Sequence, residues 1–320
     1  MPPAILDDVV LDRTGRPRQA GTLGEEPRAY IRQITQAAEH SLYYFYKVFV
    51  NGSIARPVPH KLFCDFLQEV PSRRKLLMAP RDHLKTSISK ALCLHFLVQP
   101  DRHNVYFPAG MGSLAHTEGR STRILFSSKA VDLSVQKLVF IRTWCETYAA
   151  LLHGFWPEVF WLEPAKQSGI WNNERLLFPR REIFDQPTIA TTGVTGTITG
   201  QRFNVLLHDD IVDEKDRYSA TTQERAYNWW ISTRSLMDGQ ETSLELTIGT
   251  HRSNNDPYVR IERDQLDVEI RTYAALYDAA LDSPSVISRR MAPSRSYRLT
   301  LCLSGQSATH AVPSKSSVGT

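Results

Sequence analysis

Three short apolar segments of this chain each run directly into polar or charged residues, and this pattern constrains the fold most strongly. Residues 76–79 precede a basic loop, 203–207 precede two adjacent aspartates, and 244–248 precede Gly-Thr-His-Arg. Buried strands of a parallel sheet have this character, and α/β proteins bind ligands at the carboxyl ends of such strands. The pattern therefore predicts an α/β fold with a ligand site at one edge of a parallel-centred sheet flanked by helices.

Local periodicity predicts the elements around these segments. Helices are expected where apolar residues recur every three or four positions, at 27–45, 61–70, 86–98, 134–152 and 221–237. Strands are expected at 73–79, 104–107, 175–178, 188–191, 203–208 and 243–248. A strand, a helix and a strand in succession over 73–107 predict the βαβ unit of a parallel sheet.

The segment between the first strand and its helix has the placement of a phosphate-binding loop. Loop amides and a helix N-terminus face the anion there, while a Lys reaches the β- and γ-phosphates and a Thr hydroxyl binds Mg²⁺. Lys85 and Thr86 match those two roles, although Ala79 and Leu84 replace both glycines of the strict pattern. The alternative is an exposed Lys beside an N-cap Thr. The predicted phosphate-binding residues are Ala79, Pro80, Arg81, Asp82, His83, Leu84, Lys85 and Thr86.

The other two segments supply the remaining parts of such a site. A strand that ends in Asp209 and Asp210 would place one carboxylate at the Mg²⁺ shell and the next beside the attacking water. Thr250 follows the third strand, where a polar residue lies near the γ-phosphate in nucleotide-hydrolysing motors. Taken singly, the two could be a solvated acidic turn and a Gly turn. Their order along the chain favours a common site.

These segments together resemble the large subunit of tailed-phage and prophage terminases, the motor that moves DNA into a capsid. The loop is similar to the deviant Walker A of that family, which has an arginine near its start. Residues 193–203 resemble its glycine-rich approach to Walker B, and 208–213 resemble a Walker B end with Asp-Asp in place of Asp-Glu. Residues 248–258 resemble the motif that couples hydrolysis to movement, and the likeness spans about residues 38–280.

The resemblance implies a P-loop (ASCE-type) ATPase domain that couples ATP hydrolysis to translocation of double-stranded DNA. ATP and Mg²⁺ are the implied cofactors, with Thr86 and Asp209 as the metal ligands, Asp210 positioning the water and Thr250 coupling hydrolysis to movement. The implied partners are double-stranded DNA, a terminase small subunit, a portal protein and further copies of the chain in a ring. The implied location is the cytoplasm of a bacterial host, without membrane association.

A few residues have more than one interpretation. Arg81 and Arg202 are each candidates for an arginine finger, in cis or across a subunit boundary, or for a surface ion pair. His60 opens a helix upstream of the loop, where a base-binding residue would lie, or it is a helix-start His without a ligand. Trp229 and Trp230 suggest base stacking, but adjacent aromatics on a helix are more often half core and half surface.

The family likeness implies a second, nuclease domain, and this chain departs from it there. A two-metal nuclease needs several converging carboxylates, but the last acid is Asp282. We therefore expect no nuclease activity and four regions. These are a flexible arm at 1–26, the ATPase domain at 27–260, a linker or the start of a truncated nuclease at 261–282, and a disordered tail at 283–320.

Composition excludes several other classes of protein. No apolar run reaches the roughly 18–20 residues that span a bilayer. The four cysteines are scattered without a CxxC pair, which favours reduced thiols over a zinc cluster or a disulfide framework. The net charge of +4 comes from the Ser-rich tail, because five basic residues and no acid follow Ser283. The positive charge is therefore no sign of a basic nucleic-acid-binding face on the body.

Two rival functions fit part of the pattern. A helicase-like, nucleic-acid-stimulated ATPase would share the motif order, but it needs a second lobe for which too little chain remains. A truncated, non-catalytic remnant would bind DNA or capsid proteins without turnover. The intact Lys85, Thr86, Asp209 and Asp210 favour a working site over the second rival.

Overall fold

The computed structural model describes residues 25–69, 72–100, 104–106, 119–196, 200–239, 242–253, 256–273, 286–289 and 300–301. Its centre is a mostly parallel sheet whose strands lie in the order β3-β4-β2-β5-β6-β1-β7. Only the two-residue edge strand β3 runs antiparallel to its neighbour within this set. The strands are β1 (Arg74–Met78), β2 (Ile124–Ser128), β3 (Arg175–Leu176), β4 (Ile189–Gly193), β5 (Val205–Asp209), β6 (Leu244–Gly249) and β7 (Glu269–Tyr273).

Helices cover both faces of this sheet. The larger apolar cluster packs helices of the first half of the chain on one face, and a second cluster packs the last two helices on the other. The α-helices are α1 (Glu25–His40), α2 (Leu42–Phe45), α3 (Leu62–Gln68), α4 (Lys85–Leu97), α5 (Val131–Thr147), α6 (Ala149–Phe155), α7 (Pro164–Gln167), α8 (Ala220–Thr233) and α9 (Pro257–Asp264). Short π-helical turns lie at Tyr46–Val50 and Pro57–Lys61, and 3₁₀ turns lie at Gly119–Ser121, Glu214–Tyr218 and Arg234–Leu236.

Alternation along the strands explains the two covered faces. In β1, Leu77 belongs to the larger cluster under α4, whereas Leu76 and Met78 belong to the cluster under α8 and α9. Successive side chains of a strand point to opposite faces, so a run that is apolar throughout needs cover on both sides. The predicted α/β fold with a parallel-centred sheet flanked by helices is therefore confirmed.

The prediction of the second strand is wrong. Residues 104–106 form a bend, in which the Asn104 side-chain oxygen accepts a hydrogen bond from the Tyr106 backbone N–H at 3.0 Å. The Tyr106 ring is buried against Phe96, so its apolar character reflects core packing outside the sheet. The strand that follows α4 is β2, which the periodicity did not predict. Phe107 lies outside the described residues.

The predicted end of the ATPase domain at residue 260 does not coincide with the end of the sheet. Strand β7 lies beyond that position and pairs in parallel with β1, from Lys75 beside Glu269 to Met78 beside Thr272. Of the predicted linker, residues 261–264 therefore end α9 and residues 269–273 belong to the central sheet. The charged residues Glu269 and Arg271 masked the strand character of this segment in the sequence.

The predicted terminal regions lie mostly outside the described residues. Of the arm at 1–26, only residues 25–26 are described, and they begin α1. Of the tail at 283–320, two segments are described, and both are strands: β8 (Val286–Arg289) pairs antiparallel with β7, and β9 (Thr300–Leu301) pairs with β8. The expected disorder is wrong for these two segments. Three of the cysteines, Cys64, Cys93 and Cys145, are buried and unpaired, as expected of reduced thiols.

His95 on α4 should make the fold sensitive to acid. Its Nε2 lies 2.8 Å from the Ala38 carbonyl oxygen and its Nδ1 lies 2.6 Å from the Tyr106 hydroxyl, and burial lowers its pKa to about 3. The unfolded chain takes up a proton below about pH 6.5, whereas the folded protein does not. The free energy of unfolding should therefore fall as the pH drops from 6.5 towards 3, by up to about 1.4 kcal/mol per pH unit from this group.

Urea denaturation of wild type and a His95→Gln variant across that pH range measures this contribution. The variant should show a shallower loss of stability with falling pH. The exposed His40, replaced by Gln, is the matched control and should retain the wild-type slope. Equal slopes in wild type and His95→Gln would contradict the assignment.

Candidate functional site

The three predicted segments meet at one edge of the sheet. Strands β5, β6 and β1 are neighbours, with Asp209 beside Ile248 and Met78 beside Gly249 in the pairing register. The pairing continues just past the strand ends, since the Ala79 N–H donates to the Gly249 carbonyl at 3.1 Å and the Asp210 N–H donates to that of Ile248 at 3.0 Å. The loop, the acid pair and Thr250 therefore leave adjacent strands at the same edge.

The loop between β1 and α4 has a left-handed backbone at two non-glycine residues. Asp82 has φ 62° and Leu84 has φ 56°. Leu84 stands where the strict phosphate-loop pattern has its second glycine, so the chain keeps the glycine-like conformation without the glycine. The Leu84 side chain packs on the larger apolar cluster, which compensates for the strained backbone.

Lys85 is the first residue of α4 and lies among opposite charges. It is buried, and its ammonium group donates a hydrogen bond to the Pro80 carbonyl, so it folds back over the loop. Burial lowers the pKa of Lys85, while the carboxylates of Asp210 and Asp209 oppose that shift. The predicted lysine and the predicted acid pair are thus close enough to interact. Thr86 follows Lys85 on the first turn of the helix.

The two aspartates differ in their surroundings. Asp209 is fully buried, and its Oδ2 lies 2.7 Å from the Lys137 Nζ in an ion pair. Asp210 has a left-handed backbone with φ 54°, which turns the chain away from the strand. Burial raises the pKa of Asp210, and the adjacent Asp209 charge adds to the increase. The raised pKa makes Asp210 a better proton acceptor than an ordinary aspartate, as a water-activating role requires.

Tyr258 holds the turn that carries Asp210. Its hydroxyl accepts a hydrogen bond from the Ile211 N–H at 3.0 Å. Its ring lies directly over Gly249, so close that a Cβ at that position would be 2.4 Å from a ring carbon. The glycine before Thr250 is therefore required by the tyrosine, which joins the end of β6 to the acid-bearing turn.

Buried polar atoms at this edge have no hydrogen-bond partner among the described residues. They include Oδ1 of Asp209, Oδ1 of Asp210, Oγ1 of Thr250 and Nε of Arg252, while Oδ2 of Asp209 has only its ion pair with Lys137. A buried polar group without a partner costs about 1–3 kcal/mol. A cluster of such groups, next to a lysine and a helix N-terminus, is the arrangement expected where a polar ligand completes the site.

The two arginine candidates occupy very different places. Arg81 lies at the site and is exposed, and its guanidinium is 3.0 Å from the Glu214 carboxylate in an ion pair. Arg202 precedes β5 and lies at the amino edge of the sheet, where it donates hydrogen bonds to the carbonyl oxygens of Ser235 and Met237. A strand separates Arg202 from Asp209, so it does not reach the site of its own chain. A role across a subunit boundary stays a prediction.

The histidine and tryptophan candidates fall partly outside the site. His60 is buried, and its Nδ1 accepts a hydrogen bond from the Arg56 N–H at 3.0 Å. Burial lowers the His60 pKa, and His83 of the loop adds to the decrease, so the ring lies near the loop. Trp230 is in the core and donates to the Thr247 hydroxyl at 2.9 Å, while Trp229 lies half-buried against His208. Both tryptophans face the sheet beneath α8.

Three cationic residues at the site were not predicted. Arg252 is 7% exposed and lies 3.2 Å from the Glu214 carboxylate, which it shares with Arg81. Lys129, which follows β2, pairs with Asp213 and Asp216, each at 2.8 Å. Lys137 on α5 contacts Asp209. Lys129 follows β2, a strand that the sequence analysis did not predict, and Lys137 lies on the helix that it predicted at 134–152, but no motif pointed to either residue.

The donor set fits Mg²⁺ carried by a phosphate ligand better than a metal held by protein alone. No group of three His, Cys, Asp or Glu side chains within the described residues is arranged to hold a metal ion. Nucleotide-dependent enzymes typically bind Mg²⁺ through one or two carboxylates plus the substrate phosphates. The Asp209 carboxylate, whose Oδ1 has no partner among the described residues, and the Thr86 hydroxyl provide that smaller set.

None of the helices that the structure describes is long and apolar enough to cross a membrane. No protein-family model matches the chain, and no curated protein matches it.

Proposed function

We propose that the protein binds and hydrolyses ATP at the carboxyl edge of strands β1, β5 and β6. The observation that carries the proposal is the cluster of unpartnered buried polar atoms on Asp209, Asp210 and Thr250. These groups lie beside Lys85, on adjacent strands of a mostly parallel sheet. A polyanion with a bound divalent cation would complement both the lysine and the carboxylates.

The loop residues would hold the phosphates. The buried Lys85 ammonium lies within electrostatic reach of Asp209 and Asp210, and a β- or γ-phosphate would replace the Pro80 carbonyl as its acceptor. The Thr86 hydroxyl and the Asp209 carboxylate would hold Mg²⁺, which supplies charge neutralisation of the phosphates when bound. The first-turn amides of α4 would donate to phosphate oxygens, because the first N–H groups of a helix lack intrahelical acceptors.

Asp210 would orient and deprotonate the attacking water. Its raised pKa makes it a better proton acceptor than an exposed aspartate, and its left-handed turn is fixed by Tyr258 through Ile211. The side chain is one methylene shorter than the Glu of the usual Walker B end. The left-handed turn at Asp210 directs its backbone away from the strand axis, and we expect this displacement to compensate for the shorter side chain.

The use of hydrolysis to move double-stranded DNA is proposed from the family resemblance. In that proposal Thr250, at the end of β6, contacts the γ-phosphate. Tyr258 packs on the neighbouring Gly249 and bonds the Ile211 N–H, so a movement of the β6 end would be transmitted through Tyr258 to the turn that carries Asp210. Arg81 and Arg252, which share Glu214, are available to a phosphate at the same edge. A terminase small subunit, a portal protein and a ring of copies of the chain are the corresponding proposed partners.

Replacing Lys85 with Ala should weaken ATP binding by about 10–100-fold. The ammonium group forms a charge-assisted contact, and such hydrogen bonds contribute about 1.5–3 kcal/mol. Titration of a fluorescent ATP analogue in the presence of Mg²⁺ measures the affinity. Lys166→Ala, which removes a lysine that is 74% exposed and pairs with Glu163, is the control and should bind like wild type.

The rate of ATP hydrolysis with and without double-stranded DNA then distinguishes a DNA-translocating motor from an ATPase whose activity does not depend on DNA. Hydrolysis that rises on addition of DNA supports the translocation proposal, whereas DNA-independent hydrolysis supports an ATPase of another kind. If wild type and Lys85→Ala bind the analogue equally, the site is elsewhere and the proposed function is wrong.

A further inference from the structure

Lys137 reaches the candidate site from a helix that carries none of its motifs. It lies on α5, in the second turn, and its side chain is 14% exposed. Its Nζ is 2.7 Å from Asp209 Oδ2, 2.7 Å from the Ser128 hydroxyl and 2.9 Å from the Asp209 carbonyl oxygen. One ammonium group therefore joins β2 and β5 at the point where the proposed metal ligand emerges.

Lys137 supplies the counter-charge of Asp209. Two other lysines lie near this carboxylate, but each is held elsewhere: Lys85 donates to the Pro80 carbonyl, and the Lys90 ammonium lies 3.6 Å from the centre of the Phe140 ring. Among the residues that the structure describes, Lys137 alone is in ion-pair contact with Asp209. A fully buried carboxylate needs such a partner to remain charged.

The contact with the carboxylate is separable from the other two. The 2.7 Å contact between the ammonium group and Oδ2 is an ion pair. The Ser128 hydroxyl and the Asp209 carbonyl accept true hydrogen bonds from the same ammonium. Lys137 can therefore release the carboxylate while two of its donors stay satisfied.

We propose that Lys137 is a positioning residue that competes with Mg²⁺ for the Asp209 carboxylate and so sets the metal concentration at which nucleotide binds. The proposal rests on the proposed function. Without metal, the ammonium holds the Asp209 carboxylate in place. With metal, two cations would face one carboxylate at close range, and their repulsion in a partly desolvated site weakens metal binding. Lys137 thus stabilises the site without metal and weakens the binding of Mg²⁺ to it.

The test compares Lys137→Met with wild type in two measurements. The first is the Mg²⁺ concentration needed for half-maximal binding of a fluorescent ADP analogue, which should fall about 5–10-fold when the competing charge is removed. The second is the melting temperature. It should drop in the protein alone, because Asp209 loses its partner, and recover when Mg²⁺ and ADP are added together. A larger metal-dependent rise in the variant than in wild type is the expected signature.

Two matched variants isolate the contact. Lys137→Arg keeps the charge and should resemble wild type in both measurements. Lys90→Met removes a lysine near Asp209 that is not in contact with it, and should leave the half-saturating Mg²⁺ concentration within about twofold of wild type. If Lys137→Met does not fold, Lys137→Gln removes the charge while keeping a donor for Ser128, and the same two measurements apply.

The outcomes separate this inference from the proposed function. If wild type binds the analogue with Mg²⁺ but Lys137→Met needs as much metal as wild type, or more, then Lys137 is not a competitor and this inference alone is overturned. If wild type does not bind the analogue at any Mg²⁺ concentration, both the proposed function and the inference are overturned.

Discussion

Replacing Asp210 with Asn should lower the rate of ATP hydrolysis by about 10²–10⁴-fold while ATP affinity changes little. The amide has nearly the same size as the carboxylate but cannot take the proton of the attacking water. Burial and Asp209 raise the pKa of Asp210, so the substitution removes a carboxylate that is well suited to accept a proton. A loss in kcat without a change in nucleotide affinity is the result expected of a group that acts only in the transition state.

Single-turnover hydrolysis with excess enzyme measures the chemical step directly. The control is Asp238→Asn, which alters an exposed carboxylate at the opposite edge of the sheet, where it pairs with Arg123. It should hydrolyse ATP at the wild-type rate. Wild-type turnover by Asp210→Asn would exclude the proposed role and leave the acid pair with a structural one.

Replacing Glu245 with Ala should destabilise the fold by about 3 kcal/mol, the lower end of the range for breaking a buried ion pair. Glu245 lies on β6 and is fully buried. Its Oε2 is 2.9 Å from the Arg234 Nε and 3.7 Å from the Arg74 Nε. Both arginines also contact Asp267, and Arg234 donates to the Gln265 side chain as well, so neither loses all its partners and the loss of stability is moderated.

Urea denaturation of wild type and variant gives the difference in the free energy of unfolding. A surface pair provides the comparison: Lys166→Ala removes an ion pair with Glu163 whose side chains are 74% and 60% exposed. That change should cost no more than about 0.5 kcal/mol. Equal effects of the two substitutions would show that the Glu245 network is not stabilising.

The sequence was most informative where strands are apolar along their whole length. Strands β1, β5 and β6 and helix α4 lie within a residue or two of the predicted positions, because an apolar run before a polar loop marks a buried strand. The same rule failed for β7, whose Glu269 and Arg271 alternate with apolar residues. Arg271 pairs there with Glu69, a partner about 200 positions earlier in the chain that no local pattern identifies.

The candidate site was predicted in its order along the chain but not in full. Lys85, Asp209, Asp210 and Thr250 meet as expected, since the carboxyl ends of neighbouring parallel strands share an edge. Arg202 does not join them, and the sequence already contained the reason. Arg202 precedes β5 and Asp209 ends it, so the length of the strand separates Arg202 from the site. Lys137 had no such indication, because its place depends on how α5 packs over β2 and β4.

Strand β1 has a further consequence for how the protein is made. It lies between β6 and β7, which begin at Leu244 and Glu269, so both of its edges lack a partner until most of the chain has been synthesised. An apolar strand with open edges is prone to aggregate, and flanking charges counter that tendency. Three consecutive basic residues open this strand, and the finished fold accommodates each of them. Arg73 bonds the Thr242 carbonyl, Arg74 pairs with Glu245, and Lys75 caps the last carbonyls of α3. The charges that keep the nascent strand soluble thus become structural contacts once its partners arrive.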